Sequence, residues 1–344
     1  MYTVGIVGLG QIAYSIDKDP NRDIIWSHIG AYKTFENIEI KAICDISSDV
    51  VEEVKNDCNI KLGYSDYNKM LDYNKFDIVS ICTPISSHYD IIKKCVSCGV
   101  KAIFCEKTLC NSVEDAKKII KLCEDNNVVL AVNHILRWDN LNITIKKLIE
   151  NKAIGDIYSI VGYGDTALHT SASHLIDMMC FFAGSPEWVV GTKQNDFIRV
   201  AHGVEDHGGI GIVKFKSNII GFIKATSTSQ YRYMYELDIL GEEGRIKIYN
   251  NGKDFDIYKY SRDNNSAGTN YQSLQLVENK PQINKNERMV DAIEDIIRCL
   301  EKGGSPISNG STSLNTIKII EGLKKSSDEI QIVSLVDNLD ISFA

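Results

Sequence analysis

No apolar run in the chain comes near the roughly 18 residues that span a bilayer, so a membrane-embedded role is not expected. No block of lysine or arginine is present either. With 46 acidic against 38 basic residues the net charge is −8, which leaves no electrostatic footprint for nucleic acid or an anionic membrane. The opening Met1-Tyr2-Thr3-Val4-Gly5-Ile6-Val7 lacks the basic flank and small-residue cleavage site of a signal peptide, and a cytoplasmic protein is expected. There are ten cysteines but no paired Cys/His grid, so they are expected as reduced thiols and no metal is expected. Cys95-Val96-Ser97-Cys98 has metal-like spacing. However, His88, Ile91, Ile92, Cys95 and Val96 share one helical face, and Cys95 reads as a small core residue. Internal repeats and low-complexity linkers are also missing.

What is present is ordinary globular material: 344 residues, 44% hydrophobic and 24% charged, enough for two domains. The first 130 or so residues alternate short apolar runs (Tyr2–Gly8, Ile38–Cys44, Ile78–Cys82, Lys101–Cys105, Val128–Val132) with helical patterns (Asp49–Cys58, Tyr67–Leu71, His88–Cys98, Val113–Asn126). That alternation predicts a doubly wound parallel α/β sheet. The second part begins with a helix at about Asn140–Asn151, a strand at Gly155–Val161 and a helix at Ser173–Phe182. Consecutive strand-like runs follow at Gly208–Phe215, Ile219–Thr228, Tyr235–Leu240 and Gly244–Tyr249, and then helices at Glu287–Glu301 and Ser313–Ser326. This predicts an α+β domain with a large, mostly antiparallel open sheet. The boundary is drawn between residues 133 and 134, giving domains 1–133 and 134–344. Residues 263–269 read as a polar loop.

Gly8-Leu9-Gly10-Gln11-Ile12-Ala13 follows the first strand directly, as G-x-G-x-x-A. Gly8 permits the tight turn, Gly10 lets the backbone approach a pyrophosphate, and Ala13 allows close packing of helix on sheet; Gln11 and Ile12 lie at the helix start. The second strand ends in Asp45, whose carboxylate suits ribose hydroxyls and repels a 2′-phosphate. No arginine follows it, so NAD is favoured over NADP. Asp45 comes later than the usual offset, which fits an insert at Ser15–Ile29 in the first βα connection.

With these motifs in place, the chain resembles the Gfo/Idh/MocA oxidoreductases, a family that includes glucose–fructose oxidoreductase and inositol dehydrogenase. Gly8–Ala13 and Asp45 fit its cofactor fingerprint. Thr83-Pro84 with His88 is similar to its T-P-x-x-x-H segment beside the nicotinamide, and Cys105-Glu106-Lys107 to its C-E-K-P signature. Asn133-His134 with Arg137-Trp138 is similar to its domain-junction segment, Ser173–Asp177 to its G-x-H-x-x-D helix start, and Leu237–Gly241 with Gly244 to its strand and turn. The resemblance implies a Rossmann domain, a second α/β domain, and NAD(P)-dependent oxidation or reduction at a carbon of a sugar, cyclitol or related molecule. Two positions depart from the pattern. Thr108 stands where the signature has proline, and Thr170 stands where an acidic residue usually precedes the motif histidine, with Asp165 and His169 as possible substitutes.

The residue chemistry agrees with that implication. Lys107 follows an apolar strand, which puts it at the carboxyl end of the sheet, where open α/β folds bind ligands. There it can exchange a proton with a carbinol oxygen. His174 opens an apolar helix, and in a first turn it tends to be neutral and able to take the substrate proton. The expected catalytic residues are therefore Lys107 and His174. Cofactor contacts are expected from Gly8, Gly10, Gln11, Ile12, Ala13, Asp45, Thr83, Pro84, His88, Glu106 and Lys107. Substrate contacts are expected from Arg137, Trp138, Asp165, His169, Thr170 and Asp177. Tyr163 is a weaker candidate for sugar hydroxyls. Tyr231, Arg232, Tyr233 and Tyr235 read as a sheet or oligomer face. The reading is an NAD-dependent dehydrogenase or reductase of a sugar or sugar derivative, with a nucleotide-linked or acidic sugar as the sharper version. The alternatives are a cyclitol dehydrogenase and a non-catalytic NAD-binding regulator. A homo-oligomer, dimer or tetramer, is expected through the open sheet at Ile210, Ile212, Phe222 and Tyr235.

Overall fold

The computed structural model describes residues 1–201, 204–228, 233–262 and 271–336. Tyr231, Arg232 and the polar stretch 263–269 lie outside the described residues. The chain divides into two compact units, Met1–Asp139 with Lys285–Leu314, and Asn140–Asn284 with the residues from Asn315 on. The division is therefore not the single cut after residue 133 drawn from the sequence. Residues 285–314 return to the first unit.

Elements run in the order β1 (Tyr2–Val7), α1 (His28–Tyr32), β2 (Ile38–Cys44), α2 (Ser48–Cys58), β3 (Leu62–Tyr64), α3 (Tyr67–Tyr73), β4 (Ile78–Ile81), α4 (His88–Ser97), β5 (Ala102–Cys105), α5 (Val113–Asp125) and β6 (Val129–Val132). Then come α6 (Asn140–Glu150), β7 (Ile157–Asp165), α7 (Ala172–Ala183), β8 (Pro186–Lys193), β9 (Arg199–Ala201), β10 (Val204–Asp206), β11 (Gly209–Phe215), β12 (Ile220–Thr226), β13 (Tyr235–Gly241), β14 (Gly244–Tyr249), β15 (Asp254–Ser261) and β16 (Ser273–Leu276). The chain closes with α8 (Arg288–Lys302), α9 (Gly310–Glu329) and β17 (Val333–Ser334).

In the first unit six parallel strands lie in the order β3-β2-β1-β4-β5-β6. The order reverses at β1 and β4, and a ligand cleft opens at such a switch point. Strands β4 and β5 are buried along their whole length, and the one polar residue in them, Ser80, is hydrogen-bonded to His28 and Tyr32. Helix α5 starts where its capping residue predicts: the Ser112 hydroxyl accepts the Asp115 amide at 3.0 Å, and Glu114 and Asp115 sit in the first turn. Helix α8 buries Met289, Ala292, Ile293 and Ile296 in the core that holds Val4, Ile6, Ile43 and Phe104. Its amphipathic stripe is thus explained by the first sheet, not the second. Cys95 is fully buried in α4.

The second unit holds a nine-stranded sheet, β16-β15-β14-β13-β7-β12-β11-β8-β17, in which only β7 and β12 pair in parallel. Helix α7 packs on one face, with Leu175 and Met179 against Gly162. Alternation along β11 and β12 turns Ile210, Ile212 and Phe222 to the other face, where they are 47%, 36% and 41% exposed. Tyr235, grouped with them from the sequence, is buried, because the period-two pattern of β13 aims it inward. Strands β8 and β15 were not anticipated, although turn residues precede both: Gly184-Ser185 before β8, and Asn250-Asn251-Gly252, all at positive φ, between β14 and β15.

Candidate active site

The loop after β1 is shaped by its glycines. Gly8 has φ +88°, and a Cβ there would lie 2.7 Å from the Cys82 carbonyl carbon at the end of β4, so only glycine fits. A Cβ on exposed Gly10 would meet nothing within 4 Å. That open approach to the backbone is what a pyrophosphate needs, so the residues present fit a dinucleotide. Tyr14 donates to Gly10 O at 3.1 Å, and the next rungs are His28 N to Ile12 O and Ile29 N to Ala13 O, both 3.0 Å. Helix α1 thus resumes the ladder begun at the glycine loop, and the insert between is looped out. It ends at Ser27, two residues earlier than the sequence suggested. The Asp17 carboxylate fixes it by accepting from Trp26 N at 2.7 Å and the Ser27 hydroxyl at 2.6 Å.

Asp45 stands opposite the loop at the end of β2. Its Oδ2 accepts from Leu9 N at 2.8 Å and its Oδ1 from Ser47 N at 3.0 Å. Each oxygen retains a lone pair for a ribose hydroxyl. Thr83 and Pro84 follow β4, and the Thr83 hydroxyl accepts from Ser87 at 2.7 Å. His88 does not present its ring to a cofactor. It is 1% exposed, and its two nitrogens lie 2.9 Å from Thr83 O and 3.1 Å from Leu109 O. Burial pushes its pKa down, against the opposing pull of those carbonyls. The expected contact is corrected to a structural one: His88 ties the Thr83-Pro84 loop to the segment after Lys107.

Glu106 directly follows β5. Its Oε1 lies 3.0 Å from His28 Nε2 and accepts from Asn133 Nδ2 at 2.6 Å, and the other ring nitrogen of His28 meets Ser80 Oγ at 3.0 Å. Burial pushes the Glu106 carboxyl up, but its bonds to His28 and Asn133 and the charge of Lys107 outweigh that and hold it below the usual carboxylate range. Half-buried Lys107 follows at the carboxyl edge of the sheet, and its peptide with Thr108 is cis. The glycine loop, Asp45, Thr83, Pro84, Glu106 and Lys107 are therefore brought to one edge by four adjacent strands.

In the second unit Asp165 ends β7, with one carboxylate oxygen buried and unpartnered among the described residues. The following loop carries His169 and Thr170, and half-buried His174 lies in the first turn of α7. Asp206, 2% exposed at the end of β10, accepts from His169 N and Thr170 N, both at 2.8 Å. Lys324 of α9 donates to His169 Nε2 at 2.7 Å.

Three expected substrate contacts are turned inward. Arg137 is 4% exposed and donates to Ile307 O at 3.4 Å, and buried Trp138 donates to Asp295 Oδ2 at 3.1 Å and meets Phe104 edge-on. Both sit in a 3₁₀ turn under α8, whose packing there no local sequence pattern announces. Asp177 is fully buried, and its carboxylate faces the Thr316 hydroxyl of α9 at 3.4 Å, so it joins two helices. Conversely, His28, Asp206 and Lys324 escaped the sequence reading. Each sits in no motif and gains its place only from long-range folding. For Lys324 a faint signal existed, a lysine on a mostly apolar helix face.

Comparison with known proteins agrees with this geometry. Residues 2–134 match the NAD-binding Rossmann fold of an oxidoreductase family, and residues 162–335 match the C-terminal alpha/beta domain of the same family. A D-apiose dehydrogenase of Paraburkholderia graminis is 23% identical, over 90% of this chain and 86% of its own. A myo-inositol 2-dehydrogenase of Thermotoga maritima is 22% identical, over 71% of this chain and 74% of its own. Among solved structures, the WlbA dehydrogenase of Bordetella pertussis in complex with NADH and UDP-GlcNAcA superposes with a TM-score of 0.79 at 20% identity, covering 98% of this chain and 99% of that one.

Proposed function

The chain belongs to the Gfo/Idh/MocA oxidoreductases, and from that premise we propose that it is an NAD-dependent dehydrogenase or reductase acting on a hydroxyl-bearing carbon of a sugar or sugar derivative. The observation that carries the reading is the edge of the first sheet, where an open glycine backbone, the Asp45 carboxylate and Lys107 stand together. NAD, when bound, supplies the hydride acceptor. Asp45 holds the ribose hydroxyls and disfavours a 2′-phosphate. Glu106 is kept ionised by its bonds to His28 and Asn133, with the charge of Lys107 beside it contributing. Lys107 holds the substrate oxygen, and His174 takes the hydroxyl proton in oxidation and returns it in reduction. Asp165, His169 and Thr170 are the substrate-side polar groups.

A cyclitol substrate is the second reading, favoured by the likeness to the inositol dehydrogenase. No described helix is long and apolar enough to cross a membrane. We assign the protein to the cytoplasm, in keeping with its ten free thiols, and assign its open sheet face, with Ile210, Ile212 and Phe222, to a homo-oligomer contact. The test is the appearance of reduced nicotinamide when NAD and a panel of aldoses, sugar acids and inositols are supplied. Turnover with any sugar supports the proposal, turnover with inositols alone selects the second reading, and none with either refutes both.

A further inference from the structure

Among the described residues, Lys324 makes no salt bridge. It lies on α9 and is half-buried, and among the described residues its one hydrogen bond is to His169 Nε2 at 2.7 Å. No carboxylate among those residues is within 4.0 Å of its ammonium. The carboxylate that comes nearest to serving, Asp206, spends one oxygen on His169 N and the other on Thr170 N. Lys193, which could compete for an anion, is already paired with Asp328 at 2.5 Å. Charged side chains taken out of water normally find an opposite charge, because desolvation otherwise disfavours the ionised form. Burial does push the Lys324 pKa down, with Lys193 adding to that and Asp206 and Glu321 opposing it.

The position matters as much as the charge. His169, which Lys324 bonds, is on the loop that leads from Asp165 to His174, and the two amide bonds to Asp206 hold that loop still. The Nε2 of His169 is the acceptor that an ammonium needs. An ammonium keeps two further N–H donors after bonding His169.

We infer that Lys324, steadied by His169, is a specificity-determining residue that binds the carboxylate of an acidic sugar. This deepens the function proposed above and rests on it for the location of the substrate. A carboxylate is chosen over a phosphate because a single ammonium matches one negative charge, whereas a phosphate dianion calls for a guanidinium fork or several cations.

The test is calorimetric binding to the full chain with NADH present. The probes are D-glucuronate and D-galacturonate, their neutral partners D-glucose and D-galactose, and glucose 6-phosphate. Wild type should bind at least one uronate about 10-fold or more tightly than its neutral partner, in line with a charge-assisted hydrogen bond. Lys324→Met should erase that preference while neutral-sugar affinity stays within about twofold, since the lost interaction is with the carboxylate alone. Lys324→Gln, which keeps a donor toward His169 without the charge, should do the same and removes folding as the cause. Lys324→Arg should restore part of it. A merely structural lysine would weaken acid and neutral sugars alike and would not be rescued by Arg.

The inference is overturned if wild type prefers the neutral sugars or the phosphate, if it binds none of the probes, or if uronate preference survives in Lys324→Met. The underlying reading fails differently. Uronates that bind but never reduce NAD sink the dehydrogenase and spare the subsite, whereas neutral sugars alone reducing NAD sink the subsite and spare the dehydrogenase.

Discussion

Gly8 and Gly10 stand two residues apart, yet substitution by alanine should fail for opposite reasons. At Gly8 the backbone is left-handed, φ +88°, and a Cβ would sit 2.7 Å from both the carbon and the oxygen of the Cys82 carbonyl. The obstruction is backbone and cannot swing aside. Gly8→Ala should therefore destabilise the fold by about 1–3 kcal/mol. At Gly10 the backbone is not left-handed and a Cβ meets nothing. Gly10→Ala should leave unfolding unchanged or improve it by up to about 1 kcal/mol, through the less flexible unfolded chain. What it removes is the close approach of a phosphate to backbone N–H groups. Losing one such charge-assisted bond is worth about 1.5–3 kcal/mol, or roughly 10- to 100-fold in Kd. Urea unfolding and a fluorescence titration with NADH read the two effects separately. Wild-type affinity in Gly10→Ala, or equal loss of stability in both variants, would refute the assignment of the loop.

Three further outcomes follow from the same geometry. Asp45→Ser with Ile46→Arg should move the ratio of dissociation constants toward NADP, and a wild type that already prefers NADP would contradict the role given to Asp45. Glu106→Ala strands His28 and Asn133 in a buried site and should lower stability by about 3–5 kcal/mol at pH 7. Because the folded pKa of Glu106 lies below its unfolded value, its stabilisation is full above about pH 4.5 and fades as pH falls through the folded pKa. The gap between wild type and variant in urea should therefore narrow in acid, and a constant gap would refute the linkage. Phe222→Lys, placed on the exposed sheet face, should shift light scattering from oligomer toward monomer, and a wild type that is monomeric at micromolar concentration would remove that contact from the account.

The first sheet was readable because its signals are local. Short apolar runs, a capped helix and a glycine turn each occupy a few consecutive residues, and their positions in sequence fix the edge where Asp45 and Lys107 emerge. The errors share a different cause. Arg137, Trp138 and Asp177 are polar or amphipathic residues that look like ligand contacts in a linear string, yet each satisfies its polar atoms against an element distant in sequence. Spacing puts His88 just after the Thr83-Pro84 loop, but which way its ring faces depends on Leu109 O, 21 residues on. His28 reaches Glu106 only because an insert is looped out of a helix, and Lys324 reaches His169 across 155 residues. Such pairings are decided by tertiary packing, and no window of sequence holds both partners.

The central claim, hydride transfer from a sugar carbon to NAD with His174 moving the proton, is tested most directly by steady-state reduction of NAD in wild type and His174→Ala. Wild type should turn over with a sugar or sugar acid. The variant should bind NAD as before, since His174 lies outside the NAD-binding unit, while kcat falls by about 10²–10⁴-fold and the rising limb of the pH–rate profile flattens. Wild-type turnover in His174→Ala would contradict the assignment and hand the proton to Asp165 or His169. Tight NAD binding with no turnover of any sugar or inositol would contradict the enzyme itself and leave a cofactor-binding regulator.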